Sequence, residues 1–218
     1  MPTPSTALTA LLSLAALVML ALAVTTRSGG ETAPAVHGGG VVQAEPSRPV
    51  TTTVQQAPYA VAGSSVGAIL ASMAQAAPHT GDETFFGLTT TELSFRYRRR
   101  QQPGRCTIAD VRVDLAVTVE LPHWSRPADA PYDLARDWAR FESALRRHED
   151  RHRVLAEDGA EATRVALDRL TAPTCGEADL TARRIADRIN IETEAAHRRY
   201  DDETGHGATQ GATWPLRP

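Results

Sequence analysis

Residues 132–155 read YDLARDWARFESALRRHEDRHRVL. Leu134, Trp138, Phe141, Leu145, His148, His152 and Leu155 recur here at a strict 4-3-4-3-4-3 spacing. That spacing is one face of an amphipathic helix. Arg140, Arg146, Arg147, Asp150, Arg151 and Arg153 occupy the flanking positions and form its solvated side. The helix is expected to run from Tyr132 to about Leu170, with a bend near Gly159, and to stop at Ala172-Pro173.

Two histidines stand in this stripe where the pattern otherwise places Trp, Phe and Leu, so both are expected to face inward. Burying an unsatisfied polar group is costly. A single inward His is usually explained by a nearby carboxylate or carbonyl. A same-face pair with Glu149 between asks for more. Residues 148–152, His-Glu-Asp-Arg-His, are an H-E-x-x-H pattern. Residues four apart share a helix face, so His148 and His152 can reach one ion. Glu149 lies about 100° around the helix, from where its carboxylate can take a proton from a water at the metal.

A catalytic zinc usually takes three protein ligands and keeps one open position. The third ligand must come from elsewhere in the chain. His206 is the preferred candidate, between Gly205 and Gly207, which let the backbone approach closely. His79, His123 and His197 are the other histidines of the candidate set, and Glu192 and Glu194 are the carboxylate alternatives. Tyr200, near His206 in sequence, is a candidate donor to an oxyanion.

Upstream the periodicity changes from helix to strand. Leu93, Phe95 and Tyr97 alternate with Ser94, Arg96 and Arg98, and Val111 to Leu121 alternate over a longer run. Pro103-Gly104 between them is a turn signal. Together they predict an antiparallel hairpin. The Arg98-Arg99-Arg100 run is read as its solvated end. Residues 51–61 are β-prone. Residues 64–75 predict a short helix on Val66, Leu70 and Met73, capped by Ser64 or Ser65. Pro122, Pro127 and Pro131 are expected to interrupt regular structure. A second long helix is expected over Glu177–Tyr200, with Leu180, Ile185, Ile189 and Ile191 among its apolar positions. The fold class is therefore α+β, an antiparallel sheet in the N-terminal half packed with two long C-terminal helices.

Composition narrows the function. The 218 residues carry a net charge of −3, which gives no argument for a nucleic-acid partner. Lysine is absent, which excludes a lysine nucleophile or Schiff base. Ala7 to Thr26 is uncharged and mostly Ala, Leu, Val and Met, about the length that spans a bilayer. Ala21-Leu22-Ala23 offers a small-residue cleavage site. Residues 1–27 are thus expected to be a signal peptide or membrane anchor, residues 28–50 a Gly/Pro/Ser-rich linker, and residues 51–218 the folded domain. This places the domain outside the cytoplasm, whether secreted, periplasmic or anchored, with the membrane touched only through the N-terminal segment. Cys106 and Cys175 are then expected to form a disulfide.

The block Trp138-Ala-Arg-Phe141 … Leu145-Arg-Arg-His148-Glu149-x-x-His152 resembles the bacterial domain of unknown function 922. So do Tyr200-Asp201-x-x-Thr204-x-His206-Gly207-x-x-Gln210-Gly211-Ala212, Tyr59 with Gly63, and Leu121-Pro122-x-Trp124 after the Cys106 hairpin. The resemblance covers roughly residues 50–212. It implies a secreted zinc-dependent protease with His148 and His152 as ligands and Glu149 as catalytic carboxylate. Where that family usually has Gly before its second His, this chain has Arg151. The expected activity is therefore that of a zinc metallopeptidase acting on a peptide or protein, with Zn²⁺ held by His148, His152 and His206. The competing expectation is a non-catalytic exported domain that uses the same residues to bind zinc or a partner protein.

Overall fold

The computed structural model describes residues 20–24, 49–80 and 83–216. In chain order these form β1 (Leu20–Val24), β2 (Val50–Gln56), β3 (Tyr59–Val61), α1 (Val66–Ala76), β4 (His79–Thr80) and β5 (Glu83–Thr84). Then come β6 (Leu88–Gln102), β7 (Arg105–Glu120), β8 (Pro122–Trp124), α2 (Tyr132–Asp168), β9 (Thr171–Ala172) and α3 (Cys175–Thr204). A short 3₁₀ turn, Ala208–Gln210, follows.

The predicted hairpin is β6 and β7, longer at both ends than the alternation suggested. It forms the middle of the main sheet, in the order β1-β6-β7-β2, with β9 against the start of β7. β6 and β7 are antiparallel, whereas β1 and β2 join their outer edges in parallel. The register slips between Arg96 and Arg98, opposite Asp110, which has a positive φ of 54°. This bulge changes which residues face the core. Before it the even-numbered Cys106 and Ile108 are buried; after it the odd-numbered Val111, Val113, Leu115, Val117 and Val119 are. All of β7 therefore turns its apolar side to the helices, and Cys106 points the right way to meet Cys175.

The two cysteines form the expected disulfide, with their Cα atoms 5.1 Å apart and 69 residues between them in sequence. It ties the start of β7 to the start of α3. Its presence is compatible with an extracytoplasmic location. Closing a loop of this length stabilises by about 4 kcal/mol in the chain-entropy model. The Cys106→Ala/Cys175→Ala double variant is therefore expected to melt roughly 10 °C lower. Circular dichroism checks this, and an unchanged melting point would show that the cross-link contributes nothing.

The helices differ in detail from their sequence patterns. α1 is capped by Ser65, whose side chain accepts from Ala68 N–H, but it buries Ile69 and Met73 while Val66 and Leu70 stay exposed. α2 continues through Gly159, which packs against Thr193 of α3. α3 starts with a capping box between Thr174 and Glu177. Its inward face is Ala178, Ala182, Ala186, Ile189, Thr193, His197, Asp201 and Thr204, while Leu180 and Ile191 are exposed. Ile185 packs half-buried against the core, and small alanines together with Ile189 set the interface. This lets the two helices lie close. The proline-rich stretch is also less irregular than expected, since β8 begins at Pro122 and pairs in parallel with β3.

Trp124, Trp138, Phe141 and Trp214 form an aromatic cluster, with Trp138 and Trp214 rings 5.4 Å apart and Phe141 and Trp214 rings 5.6 Å apart. The cluster holds the chain after α3 down on α2. That contact brings residues 205–212 over the histidine stripe. Of the expected N-terminal sorting segment, residues 20–24 are described and form β1; residues 7–19 and 25–26 lie outside the described residues, as does most of the expected linker. Among the described residues no helix is long and apolar enough to cross a membrane.

Candidate metal centre

His148 and His152 face inward, as the stripe predicts, at 2% and 0% relative exposure. The partner that meets them is Asp201, one turn beyond His197 on the inward face of α3 and 1% exposed. Asp201 Oδ1 lies 3.0 Å from His152 Nε2 and 3.2 Å from His148 Nε2. The two Nε2 atoms are 3.3 Å apart. His148, His152 and Asp201 are thus a compact buried group able to hold a metal ion. Tetrahedral zinc, with bonds of about 2.0–2.1 Å, sets its ligand atoms about 3.3 Å apart. The three observed separations fit that edge. Asp201 Oδ2 is buried with no hydrogen-bond partner among the described residues. Buried polar atoms are rarely left so, and a bound cation would satisfy this one.

The second nitrogen of each imidazole is also held. His148 Nδ1 lies 3.2 Å from Gln210 Oε1. An amide oxygen only accepts, so Nδ1 carries the proton and Nε2 presents its lone pair. His152 Nδ1 lies 2.9 Å from His197 Nδ1. With His152 Nδ1–H donating, His197 must accept and stay neutral. Burial, then the neighbouring His152, push the His197 pKa down to about 4. Such outer partners orient metal-binding histidines and make them better ligands.

Glu149 is 2% exposed. Thr89 Oγ1, on β6, donates to its Oε2 at 2.8 Å. Burial raises the Glu149 pKa, against the opposing pull of His152, His148 and Thr89. Gly87, just before β6, leaves space beside this carboxylate: a Cβ there would lie 2.8 Å from Glu149 Oε1. Asp201 is shifted the other way. Burial opposes its charge, but its bonds to His148 and His152 hold its pKa below the usual carboxylate range.

Of the other residues expected at the site, Tyr200 is present. Its ring stacks on His148 at 4.9 Å, and its O–H donates to Gln210 Oε1 at 3.1 Å. Burial raises its pKa, so the phenol stays protonated. His206 approaches the group from outside: Nδ1 is 3.9 Å from Asp201 Oδ1 and the side chain is 26% exposed. The carboxylate alternatives are placed elsewhere. Glu192 pairs with Arg188, and Glu194 with Asn190 and Arg198. Gly205, His206 and Gly207 all have positive φ, which turns the chain back sharply over α2. At Gly207 a Cβ would lie 3.1 Å from His148 Cγ, so only glycine lets the backbone cross this imidazole. Arg151 is exposed on the outer flank of α2, as expected.

Thr89 was missed by the sequence reading; His197 stood only among several histidines that could supply a third ligand, and Asp201 and Gln210 appeared in the family-like tail without an assigned role. One signal did exist: His197 and Asp201 are spaced four apart, the same facing geometry as His148 and His152. Thr89 carried none, because its role depends on how distant elements meet, and Gln210 was visible only as part of the tail that resembles the family.

The chain matches, over residues 56–207, the family described as bacterial protein of unknown function (DUF922). It belongs to this family. His148, Glu149, His152 and Asp201 all fall within the matched stretch; Gln210 and the aromatic anchor Trp214 lie beyond it. No curated protein and no solved structure matches the chain.

The protonation of His148 has a consequence for binding. Burial disfavours charge on this imidazole, but Asp201 and Glu149 outweigh it and raise its pKa above 6.5. Proton and metal compete for the same Nε2. Metal uptake is therefore expected to release a proton near neutral pH, and affinity to rise with pH until His148 is neutral. Calorimetry in buffers of different ionisation enthalpy measures this; an affinity independent of pH between about 6 and 8 contradicts it.

Proposed function

We propose that this protein is an exported zinc-dependent peptidase. The observation that carries the reading is Glu149: a buried carboxylate beside both imidazoles, hydrogen-bonded to Thr89. A site that only braces two helices has no need of it. His148, His152 and Asp201 would hold the metal, which when bound polarises the scissile carbonyl and acidifies a water. Glu149 would accept that water's proton and pass it to the leaving amine. Thr89 holds the carboxylate in place through Oε2. Gln210 and His197 fix the tautomers of His148 and His152. Tyr200, whose O–H is protonated, would donate to the developing oxyanion.

The site's burial favours a second reading, a closed zinc site in a non-catalytic exported domain. His148, Glu149 and His152 are each at most 2% exposed, whereas a catalytic site keeps an open position. One experiment separates the two. The full chain is loaded with zinc and incubated with unfolded casein, with and without a chelator. Cleavage that chelation stops and zinc restores supports the peptidase. Stoichiometric zinc with no cleavage supports the closed site.

A further inference from the structure

An open cleft of about 810 Å³ runs along the outer side of α2. It is lined by Arg126, Tyr132, Arg136, Arg140, Arg147 and Leu216, and its inner wall includes Gln210. Gln210 also bonds His148, so the cleft ends against the candidate metal centre. We propose that this cleft binds an extended acidic peptide and delivers it to that centre. What happens after binding rests on the peptidase reading; the binding itself does not.

Charge is the first argument. Arg136 is neutralised by Asp133 and Asp137. Among the described residues Arg126 and Arg140 have no acidic partner, and Arg147 bonds only the Ser143 hydroxyl. Three guanidinium groups therefore line one cleft without counter-charges, in a chain whose net charge is negative. Elsewhere on α2 Arg146 pairs with Glu142, Arg153 with Asp150 and Glu157, and Arg164 with Glu161 and Asp168. Arg151 is exposed and, among the described residues, stands singly on the outer flank, so the cleft is distinguished by grouping three such arginines together. Planar guanidinium forks suit carboxylates, which they can grip in two places.

Shape is the second. The Tyr132–Arg147 part of α2 rises about 22 Å, the reach of roughly six extended residues. Ala135, Ala139 and Ala144 give the floor small side chains between the arginines. Tyr132, 76% exposed, and Leu216 supply apolar walls. Cleft and centre meet at the helix turn that carries Ala144, Arg147 and His148, with Gln210 standing between the cleft and the buried histidines.

The test uses two dye-labelled decapeptides, (Glu-Ala)₅ and (Gln-Ala)₅, with the full chain free of metal. Fluorescence anisotropy at low salt is expected to show the acidic peptide bound about tenfold more tightly. Raising the salt should erase the difference, because exposed charges are screened. The exposed pair Arg140→Gln/Arg147→Gln is expected to keep the wild-type melting point and lose most of the preference. Equal binding of both peptides by the wild type, or an undiminished preference in the double variant, overturns the assignment. Hydrolysis is followed in parallel on the zinc-loaded chain. Selective binding of the acidic peptide without cleavage counts against the peptidase reading and leaves the cleft assignment standing. Cleavage of both peptides with equal affinity does the reverse.

Discussion

Asp201→Ala is expected to strip the full chain of stoichiometric zinc, while His206→Ala keeps it. Asp201 Oδ1 sits 3.0 and 3.2 Å from the two Nε2 atoms and closes the triangle; His206 Nδ1 stands 3.9 Å from that same oxygen, on the outer side. Four-ligand zinc sites are worth about 10–16 kcal/mol in all, so each ligand carries roughly a hundred- to a thousandfold in affinity. Losing Asp201 should cost that factor. Losing His206 should cost of the order of tenfold, as for an outer partner. Zinc content after dialysis, followed by competition with a chromophoric chelator, reads both values. The variant should still fold, because alanine removes a buried charge and is the residue best suited to a helix interior. Full zinc in Asp201→Ala together with loss in His206→Ala would return the third ligand to His206.

The contrast between these two residues shows where the sequence was legible. Period and spacing are local, and they held. The 4-3 stripe placed both histidines and Glu149 on α2 correctly, and the alternation found the β6–β7 hairpin. What a strand does at a bulge is less local: the slip opposite Asp110 reverses the inward parity, so the buried even-numbered start of β7 does not follow from the pattern at 111–121. The third member of the metal group is less local still. His206 had the expected flanking glycines, but Gly205, His206 and Gly207 spend their positive φ values turning the chain across His148, so the backbone rather than the imidazole takes the position above the site. Asp201 was hidden for a similar reason. Its inward direction follows from the stripe of Ala178, Ala182, Ala186 and Ile189 on α3, while two of the four aliphatics that a hydrophobicity pattern follows, Leu180 and Ile191, point to solvent.

Glu149→Gln is expected to leave zinc bound and lower any hydrolysis by roughly 10²- to 10⁴-fold, the usual contribution of a positioned general base. The amide keeps the size of the carboxylate, and its oxygen can still accept from Thr89. It cannot take a proton from water. The same change should stabilise the metal-free protein. Burial raises the folded-state pKa of Glu149 above 4.5, so the folded form holds this proton more tightly than the unfolded chain. A raised carboxyl pKa contributes stability below the unfolded value and loses it as pH rises through the folded value. Glutamine does not titrate, so its lead over the wild type should widen from about pH 5 to pH 8, at roughly 2–4 °C in melting temperature per kcal/mol. Functional residues often carry such a stability cost. Melting curves of both proteins at the two pH values, without metal, test the sign. A gap that narrows with rising pH would mean the carboxylate is stabilised by its neighbours more than burial penalises it. In that case Glu149 would be poorly suited to take and return a proton near neutral pH, and the closed-site reading would gain.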